Sequence, residues 1–586
     1  NEFNDADKII NNLKQIGEKY QEVMLRIMQD NNMPTQFINA LNQQKMQSIM
    51  TEASNKIMEH PEQFIQHNIE YGQRLTTLLN NTMMRFVGEQ DLPIYDNNKD
   101  RRFKHPSWHE NLYFDFIRQF YLMSTEWLQE TTSQMSLEPK MQQILEFYTR
   151  QFTDAFCPSN FPLYNPEVIN ESLASKWDNI SKGLDNFLED LKNGRGLLDI
   201  TTTDKMAFKI GKNIASTPGK VVMQNDLMQL IYYEPKQKVH QIPILIIPPW
   251  INKYYILDLS PENSLVKWLV DNNFQVFLIS WINPDKKLAH KNFEDYASDG
   301  VIAASEYITK TLNVPQINTI GYCIGGTLLA CALSVMKSKK MDYIASSTYL
   351  ATLLDFSNAG EVGLFINEDT IALIEQEMSD KGFFDGRYLA GGFSLLRAND
   401  LIWSFFISNY LLGKRPLPFD LLYWNSDPTN LPEAMHSFYL RNMYLENNLT
   451  KPGKVTMLQE KVDLNKVDIP CFFLAAKDDH ITPWRGVYNS MQLLGGEKEF
   501  CLTASGHVAG IINPVNQKKY SFWAGGVVES HAKWRASAKE SAGSWWPHWL
   551  KWQLKYSGDM IEEKAYSKAK AIENAPGSYV KSTIVS

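Results

Sequence analysis

The pattern of apolar and polar positions changes once along the chain, near residue 200. Over residues 4–86, and again over residues 111–191, apolar side chains recur every three or four positions, which predicts helices. Few Gly or Pro residues interrupt the first stretch, and the polar segment 192–196 ends the second. We therefore predict an all-α N-terminal domain over residues 1–200 and a different kind of domain over residues 201–586.

After residue 200, short β-rich runs alternate with helical stretches. This alternation is typical of the α/β class, in which crossover helices join the strands of a mostly parallel sheet. The first run contains Asn225 and Asp226 and predicts a hairpin. The predicted strands cover residues 221–233, 242–247, 274–281, 317–322, 343–352, 471–475 and 499–503.

Two segments stand apart from this alternation. Roughly a hundred residues, 355–455, separate two consecutive predicted strands, which is too many for a simple crossover. We predict that this insertion is a lid or cap over the functional site. Near the end of the chain, tryptophans cluster between Trp523 and Trp552. We interpret them as a docked helical tail that packs aromatic rings, rather than as a platform for a carbohydrate or polymer.

Composition narrows the class of protein. With 44% hydrophobic and 21% charged residues, the 586-residue chain has ordinary globular values. The net charge is −8 and no dense Lys/Arg block appears, which argues against a nucleic-acid partner. Five scattered cysteines fit a reducing compartment, so we expect a cytoplasmic protein. No apolar run reaches the ~18–20 residues of a membrane helix, and the first residues do not resemble a signal peptide.

The strongest chemical signal is the hexapeptide Gly-Tyr-Cys-Ile-Gly-Gly at residues 321–326. It directly follows the apolar run 317–320 and directly precedes an apolar helical stretch. This is the G-x-S-x-G nucleophile elbow of the α/β-hydrolase fold, with Cys323 in place of Ser. Glycines are needed there because the nucleophile occupies a strained turn between a strand and a helix. The alternative is a Gly-rich turn that holds an incidental buried cysteine.

An α/β-hydrolase sheet supplies an acid after a later strand and a histidine after the last one. Strand 471–475 leads into Asp478 and Asp479, and strand 499–503 leads into His507, so both types appear in the correct order. We prefer Asp479 as the acid. Spacing alone does not rank it above Asp478, and Asp355, after strand 343–352, is a third candidate.

We predict His507 rather than His480 as the base. His480 adjoins Asp479 on the same loop and could not easily present its ring to both Asp479 and Cys323. A free thiol with a pKa of ~8.5 is only partly ionised at neutral pH. A helix N-terminus after Cys323 and a nearby imidazole would both favour the thiolate, so Cys323 needs a base less than a serine would.

Backbone N–H groups would hold the oxyanion. One is expected from Ile324, directly after the nucleophile, and one from Ile251 in the loop after strand 242–247. The sequence contains no H-E-x-x-H, C-x-x-C, Walker A or G-x-G-x-x-G motif. We therefore expect neither a metal nor a dinucleotide cofactor.

Together these segments resemble the class I polyhydroxyalkanoate synthases, the enzymes that form poly-3-hydroxybutyrate and related polyesters. The resemblance covers nearly the whole chain and is weakest in the first hundred residues. Its carrying segments are 103–111, PPWINKYYILDL at 248–259, SWINP at 280–284, GYCIGGT at 321–327, TLLDF at 352–356, RANDLIW at 397–403, PFDLLYWNSDPTNLP at 418–432, DHITPW at 479–484, SGHVAGIINP at 505–514, GSWWPHW at 543–549 and APGSYVK at 575–581.

The resemblance implies that Cys323, Asp479 and His507 form the catalytic triad of an acyltransferase. Its substrates would be short 3-hydroxyacyl-CoA thioesters such as 3-hydroxybutyryl-CoA, polymerised with release of CoA, which is a leaving group and not a cofactor. It also implies a homodimer in the cytoplasm at the surface of polyester granules. The N-terminal helices would serve dimerisation, partner contact or granule association, and their amphipathic spacing does not separate these roles from plain packing. Arg397 and Lys253 are guesses for contacts with CoA.

Two other functions remain open at this point. A thioesterase or polyester depolymerase would use the same triad with water as the acceptor, although a serine nucleophile is commoner there. A non-catalytic protein of the polymer surface would use its helices and tryptophans as adhesive faces. Trp250 departs from the pattern of the family, because related sequences often carry a small residue at this position. This difference leaves open the size of the pocket and the assignment of Ile251 as an oxyanion donor.

Overall fold

A computed structural model of the chain describes residues 2–29, 47–88, 100–194 and 198–584. Residues 30–46 of the first predicted helical stretch and residues 195–196 of the predicted break lie outside the described residues. The chain divides into a helical unit, Asn1–Asp204 with Phe393–Leu417, and a sheet unit, Lys205–Gly392 with Pro418–Ser586. None of the helices in the described ranges is long and apolar enough to cross a membrane.

In its described ranges the helical unit consists mainly of α-helices, as the apolar spacing predicts. Several begin at a polar residue whose side chain accepts a backbone N–H of the first turn, such as Asn111 and Asn165. The helices are Glu2–Gln29 (α1), 47–59 (α2), Pro61–Phe86 (α3), Ser107–Glu110 (α4), Leu112–Ser133 (α5), Pro139–Ala155 (α6), Pro166–Ser175 (α7) and Asp178–Gly194 (α8).

Part of the predicted insertion folds into the helical unit. The amide of Asn179 on α8 donates to the carbonyl of Leu411 (2.8 Å), and the hydroxyl of Tyr410 donates to Asp190 (2.6 Å). These bonds are buried, so each replaces a contact with water and fixes residues 393–417 against α8. The sequence did not indicate this division, because the apolar pattern of 355–455 does not show against which unit each part packs.

The sheet unit is built on strands that follow the β-rich runs of the sequence. They are Gly219–Gln224 (β1), Met228–Tyr233 (β2), Lys238–His240 (β3), Ile244–Ile247 (β4), Val276–Trp281 (β5), Ile317–Tyr322 (β6), Ile344–Leu350 (β7), Phe383–Phe384 (β8), Leu431–Pro432 (β9), Thr456–Met457 (β10), Glu460–Lys461 (β11), Cys471–Ala476 (β12), Lys498–Thr503 (β13), Ser521–Ala524 (β14), Lys539–Ala542 (β15), Met560–Glu562 (β16) and Glu573–Asn574 (β17).

An eleven-stranded sheet forms the centre of this unit, in the order β15-β14-β13-β12-β7-β6-β4-β5-β2-β1-β17. Strands β13 to β5 in that order are parallel, and the strands outside them pair antiparallel. Every predicted strand region is confirmed, including the hairpin β1–β2, which turns through Asn225. Strand β14 and the two edge strands β15 and β17 were not predicted, because each is short and β15 and β17 are polar.

Helices connect and cover these strands. The helix after β6 is buried on every side from Ile324 to Met336, as expected of a central helix with an almost wholly apolar sequence. The helices are Leu265–Asp271 (α9), Phe293–Asp295 (α10), Ala303–Leu312 (α11), Ile324–Ser338 (α12), Gly360–Leu364 (α13), Glu368–Lys381 (α14), Gly386–Leu396 (α15, which crosses the division between the units), Asp420–Asn425 (α16), Glu433–Tyr439 (α17), Trp484–Gln492 (α18), His531–Ser537 (α19) and Trp546–Gln553 (α20).

The tryptophan-rich segment is a docked tail, which confirms its interpretation from the sequence. Trp545, Trp546 and Trp549 are each 1% exposed. The indole N–H of Trp545 donates to the carbonyls of Gly510 (3.2 Å) and Ile511 (3.1 Å). The tail therefore supplies part of the core and also fixes the loop that follows β13.

Candidate active site

Cys323 lies at a sharp turn between β6 and α12. Its backbone has φ 53° and ψ −125°, a conformation that residues other than glycine rarely adopt. The N–H of Cys323 donates to the carbonyl of Leu350 on the neighbouring strand β7 (2.9 Å), which holds the turn in place. The strained turn and its setting between strand and helix are those of a nucleophile elbow.

The glycines after Cys323 allow backbone segments to approach closely. A Cβ atom on Gly325 would overlap the carbonyl oxygen of Ile247 at the end of β4, and a Cβ atom on Gly326 would overlap the hydroxyl of Thr352. Larger residues would push the start of α12 away from the sheet. The close packing therefore explains why both positions are glycine.

Asp479 and His507 follow the parallel strands β12 and β13, so both lie at the same edge of the sheet as Cys323. Oδ2 of Asp479 lies 2.7 Å from Nδ1 of His507. Oδ1 accepts the backbone N–H groups of Ile481 and Thr482, each at 2.9 Å, and the hydroxyl of Thr482 donates to Oδ2 (2.7 Å). The carboxylate is therefore fully hydrogen-bonded although its side chain has no exposed surface.

The charges of these groups stabilise one another. Burial alone would raise the pKa of the Asp479 carboxyl, but the charge and hydrogen bond of His507, with the bonds from Thr482, hold it below its ordinary value. Burial would lower the pKa of the His507 imidazole, yet the charges of Asp479 and Cys323 and hydrogen bonds to both raise it well above its ordinary value. His507 is thus hydrogen-bonded to the Asp479 carboxylate and is also subject to the charge of Cys323.

The structure separates the preferred acid from its rivals. Asp478 is exposed, and its backbone N–H donates to the carbonyl of Ser505 (2.9 Å). Asp355 accepts the N–H of Ser357 (2.9 Å) and the side-chain amide of Asn447 (2.8 Å). Neither carboxylate is hydrogen-bonded to His507 in the described part of the chain, whereas Asp479 is.

The predicted oxyanion donors lie on adjacent backbone segments. Ile324 is the first residue of α12, and Ile251 belongs to the loop after β4. The close approach of Gly325 to Ile247 and Pro248 joins these segments. Among the hydrogen bonds of the described residues, neither the N–H of Ile324 nor that of Ile251 has an acceptor. Both N–H groups therefore remain available as donors.

Comparison with known proteins agrees with this geometry. Residues 99–269 match the model of the poly-beta-hydroxybutyrate polymerase (PhaC) N-terminus, and residues 242–514 match the alpha/beta hydrolase fold. The chain is 43% identical to the poly(3-hydroxyalkanoate) polymerase subunit PhaC of Rhizobium meliloti (strain 1021), over 85% of this chain and 82% of the relative. It is 39% identical to the poly(3-hydroxyalkanoate) polymerase of Methylorubrum extorquens, over 92% and 90%. The chain belongs to the poly(3-hydroxyalkanoate) polymerase family. The predicted α/β-hydrolase fold and the family resemblance are both confirmed.

Lys253 and Arg397, the two residues suggested as CoA contacts, lie in different surroundings in the structure. The side chain of Lys253 is 2% exposed and lies 2.9 Å from Asp427, so the structure gives a CoA contact there no support. Arg397 is half exposed and forms an ion pair with Asp400 (2.7 Å). A role for Arg397 stays a prediction.

Sequence reasoning missed several residues near the predicted triad. The hydroxyl of Tyr322 donates to the carbonyl of His507 (3.1 Å), and the two rings stack with centroids 5.7 Å apart. Burial raises the pKa of both Tyr439 and Tyr444, and the charge of Cys323 adds to the shift of each. Tyr444 lies in a π-helical turn, Leu440–Leu445, a feature frequent at functional sites. No sequence motif marks these tyrosines.

Proposed function

We propose that this chain polymerises short-chain 3-hydroxyacyl-CoA into a polyester through a thioester on Cys323. The proposal is carried by the cysteine at the elbow, whose charge helps to raise the pKa of His507, and by the bond of His507 to Asp479, on a chain of the polymerase family. A cysteine suits polymerisation because exchange of one thioester for another is nearly isoenergetic. The acyl group on the enzyme thus stays activated for the next transfer.

In the first step, the Cys323 thiolate attacks the acyl carbon of 3-hydroxyacyl-CoA. The carbonyl oxygen becomes an oxyanion held by the N–H groups of Ile324 and Ile251. The carbon–sulfur bond to CoA then breaks, and the CoA thiolate takes a proton from the His507 imidazolium. The charge of Asp479 favours that imidazolium, so the donor is present when the leaving group forms.

In the second step, the 3-hydroxyl of an acyl unit attacks an enzyme-bound or CoA-bound thioester. Neutral His507 accepts the hydroxyl proton while an oxoester bond forms and the thioester carbon–sulfur bond breaks. The thiol that leaves takes that proton back. The chain grows by one unit for each CoA released, and no redox partner or metal enters the balance.

The test follows CoA release from 3-hydroxybutyryl-CoA with a thiol reagent and polymer formation by turbidity. We expect both signals to rise together in the wild type and to vanish in Cys323→Ala. Cys331→Ala is the matched control, because Cys331 is a fully buried cysteine of the same helix region, α12. CoA release with soluble hydroxy acid and no turbidity would instead identify a thioesterase or depolymerase that uses the same triad.

We also propose that the N-terminal helices serve self-association or attachment to polyester granules in the cytoplasm. Apolar side chains on α3 support this, since Ile65 is 56% and Phe86 80% exposed. We expect Ile65→Ser with Phe86→Ser to lower the mass in size-exclusion chromatography or the fraction that sediments with polymer. Met206→Ser, at an exposed apolar residue (93%) outside these helices, is the control. Unchanged mass and sedimentation would remove the proposal.

A further inference from the structure

The loop that carries Ile251 is hydrogen-bonded to a segment of the insertion. The backbone N–H of Thr429 donates to the carbonyl of Ile251 (3.0 Å), and the hydroxyl of Thr429 donates to the carbonyl of Trp250. Thr429 is 4% exposed and Trp250 is 2% exposed, so water does not compete for these bonds. One threonine therefore holds two consecutive carbonyls of the loop after β4.

The bond to Trp250 fixes the direction of the Ile251 N–H. The carbonyl of Trp250 and the N–H of Ile251 belong to the same planar, trans peptide group, so they point in opposite directions. When the Thr429 hydroxyl binds the carbonyl on one side, the N–H must face the other side. A hydrogen bond to the carbonyl also polarises the peptide and makes its N–H a stronger donor.

A second set of contacts anchors the same two segments just beyond this peptide. The indole N–H of Trp424 donates to the carbonyl of Lys253 (2.7 Å). The ammonium of Lys253 lies 2.9 Å from one oxygen of Asp427, and the hydroxyl of Tyr255 donates to the other (2.8 Å). Segment 424–429 is therefore held to the loop at several points, and Thr429 cannot shift independently of it.

We propose that Thr429 is a positioning residue that orients the Trp250–Ile251 peptide as one half of the oxyanion hole. The inference rests on the proposed acyl transfer at Cys323. The oxyanion hole is then complete only while segment 424–429 of the insertion is docked on the loop. The group it serves is the oxyanion formed from an acyl thioester, and Thr429 acts on it through the peptide alone.

The experiment compares Thr429→Val with Thr429→Ser. Valine has the shape of threonine and keeps the backbone N–H bond to Ile251 but removes the hydroxyl, whereas serine keeps the hydroxyl. Thr309→Val is the matched control, because Thr309 is also buried (8% exposed) and its hydroxyl donates to a backbone carbonyl, that of Ser305 in α11. Each variant is assayed for CoA release from 3-hydroxybutyryl-CoA and for alkylation of Cys323 by iodoacetamide.

The two reactions separate the oxyanion hole from the thiolate. Alkylation forms no oxyanion, so it needs Cys323 and His507 only. Loss of one oxyanion donor costs about 10²–10³ in kcat, and a misoriented donor should cost about 10- to 100-fold. We expect that fall in kcat for Thr429→Val, with KM and the alkylation rate unchanged and with activity restored in Thr429→Ser.

Three results would overturn the inference. In the first, Thr429→Val has the same kcat as the wild type. In the second, its alkylation rate and its melting temperature fall together with CoA release, which would indicate that Thr429 has a structural role only. Thr309→Val could also lose as much activity, which would make the effect nonspecific. A wild type that alkylates rapidly yet releases no CoA from the substrate would instead refute the proposed function itself.

Discussion

Replacement of Asp479 by asparagine tests the electrostatic design of the site. Oδ1 of an asparagine can still accept the N–H groups of Ile481 and Thr482, so the loop should keep its shape. The amide nitrogen, however, would replace Oδ2 and face Nδ1 of His507 as a donor. Nδ1 must then accept, Nε2 carries the proton, and the imidazole can no longer take a proton from the thiol.

The size of the loss follows from what the carboxylate does. The same exchange of carboxylate for amide lowers kcat about 10⁴-fold in serine-protease triads. A thiol depends less on its base than a hydroxyl does, so we expect about 10²- to 10³-fold here, or about 3–4 kcal/mol of transition-state stabilisation. The variant also removes the charge that raises the pKa of His507, so the rate of iodoacetamide alkylation should rise only at higher pH than in the wild type.

Asp478→Asn is the matched control, because it makes the same chemical change at the exposed neighbouring residue. CoA release is measured against 3-hydroxybutyryl-CoA, and alkylation is followed by mass spectrometry between about pH 5 and 10, the range in which His and Cys titrate. The reasoning fails if Asp479→Asn keeps more than about a third of the wild-type kcat/KM, or if Asp478→Asn loses as much.

Other perturbations test the residues that hold the proposed triad in place. Gly326→Ala should lower kcat at least ~10-fold in the CoA-release assay and lower the free energy of unfolding by about 1–3 kcal/mol in chemical denaturation, because the new Cβ atom would overlap Thr352. The double variant Thr352→Ser/Gly326→Ala should not recover either loss, since the serine keeps the hydroxyl that the Cβ atom overlaps. Trp545→Phe should lower the free energy of unfolding by about 1–2 kcal/mol and should also lower kcat, because it removes the hydrogen bond from the indole to the loop at Ile511. An unchanged denaturation curve would contradict the anchoring role of Trp545. The Asp479 carboxylate should contribute its full stabilisation at pH values above its unfolded pKa of ~3.9, and this contribution should be lost as the pH falls through its lowered folded pKa. In denaturation curves, the difference in free energy of unfolding between the wild type and Asp479→Asn should therefore shrink below about pH 4.

The parts of the fold that could be predicted are those set by local pattern. The parallel strands are short, almost continuously apolar runs, because both faces of the sheet are covered. Cys323, Asp479 and His507 each follow such a strand, and the carboxyl ends of parallel strands meet at one edge, so their proximity could be expected from their order. The edge strand β15 is exposed and polar, so its pairing depends on the neighbour it meets rather than on its own sequence.

The parts that could not be predicted come from long-range packing of the insertion. Its elements are short helices and π-helical turns whose apolar residues give no clear period. Tyr439 and Thr429 reach the site through contacts with residues more than a hundred positions away, and a single sequence holds no record of such pairings. The same holds for the division of the insertion, where polar contacts such as Asn179 with Leu411 decide which unit residues 393–417 join.

Under the proposed function, the choice between polymerisation and hydrolysis depends on the acceptor that reaches the thioester, because the triad chemistry is the same for both. The rings packed around Tyr439 bear on that choice. Tyr439 is 8% exposed, stacks on Phe293, and meets Phe356 edge-on at 5.9 Å. Such packing keeps bulk water away from the Tyr439 ring. The hydroxyls of Tyr439 and Tyr444, whose pKa values are raised by burial and in part by the charge of Cys323, would offer polar partners to an incoming 3-hydroxyl. An insertion that excludes water and also orients an oxyanion donor would thus favour ester formation without any change in the triad itself.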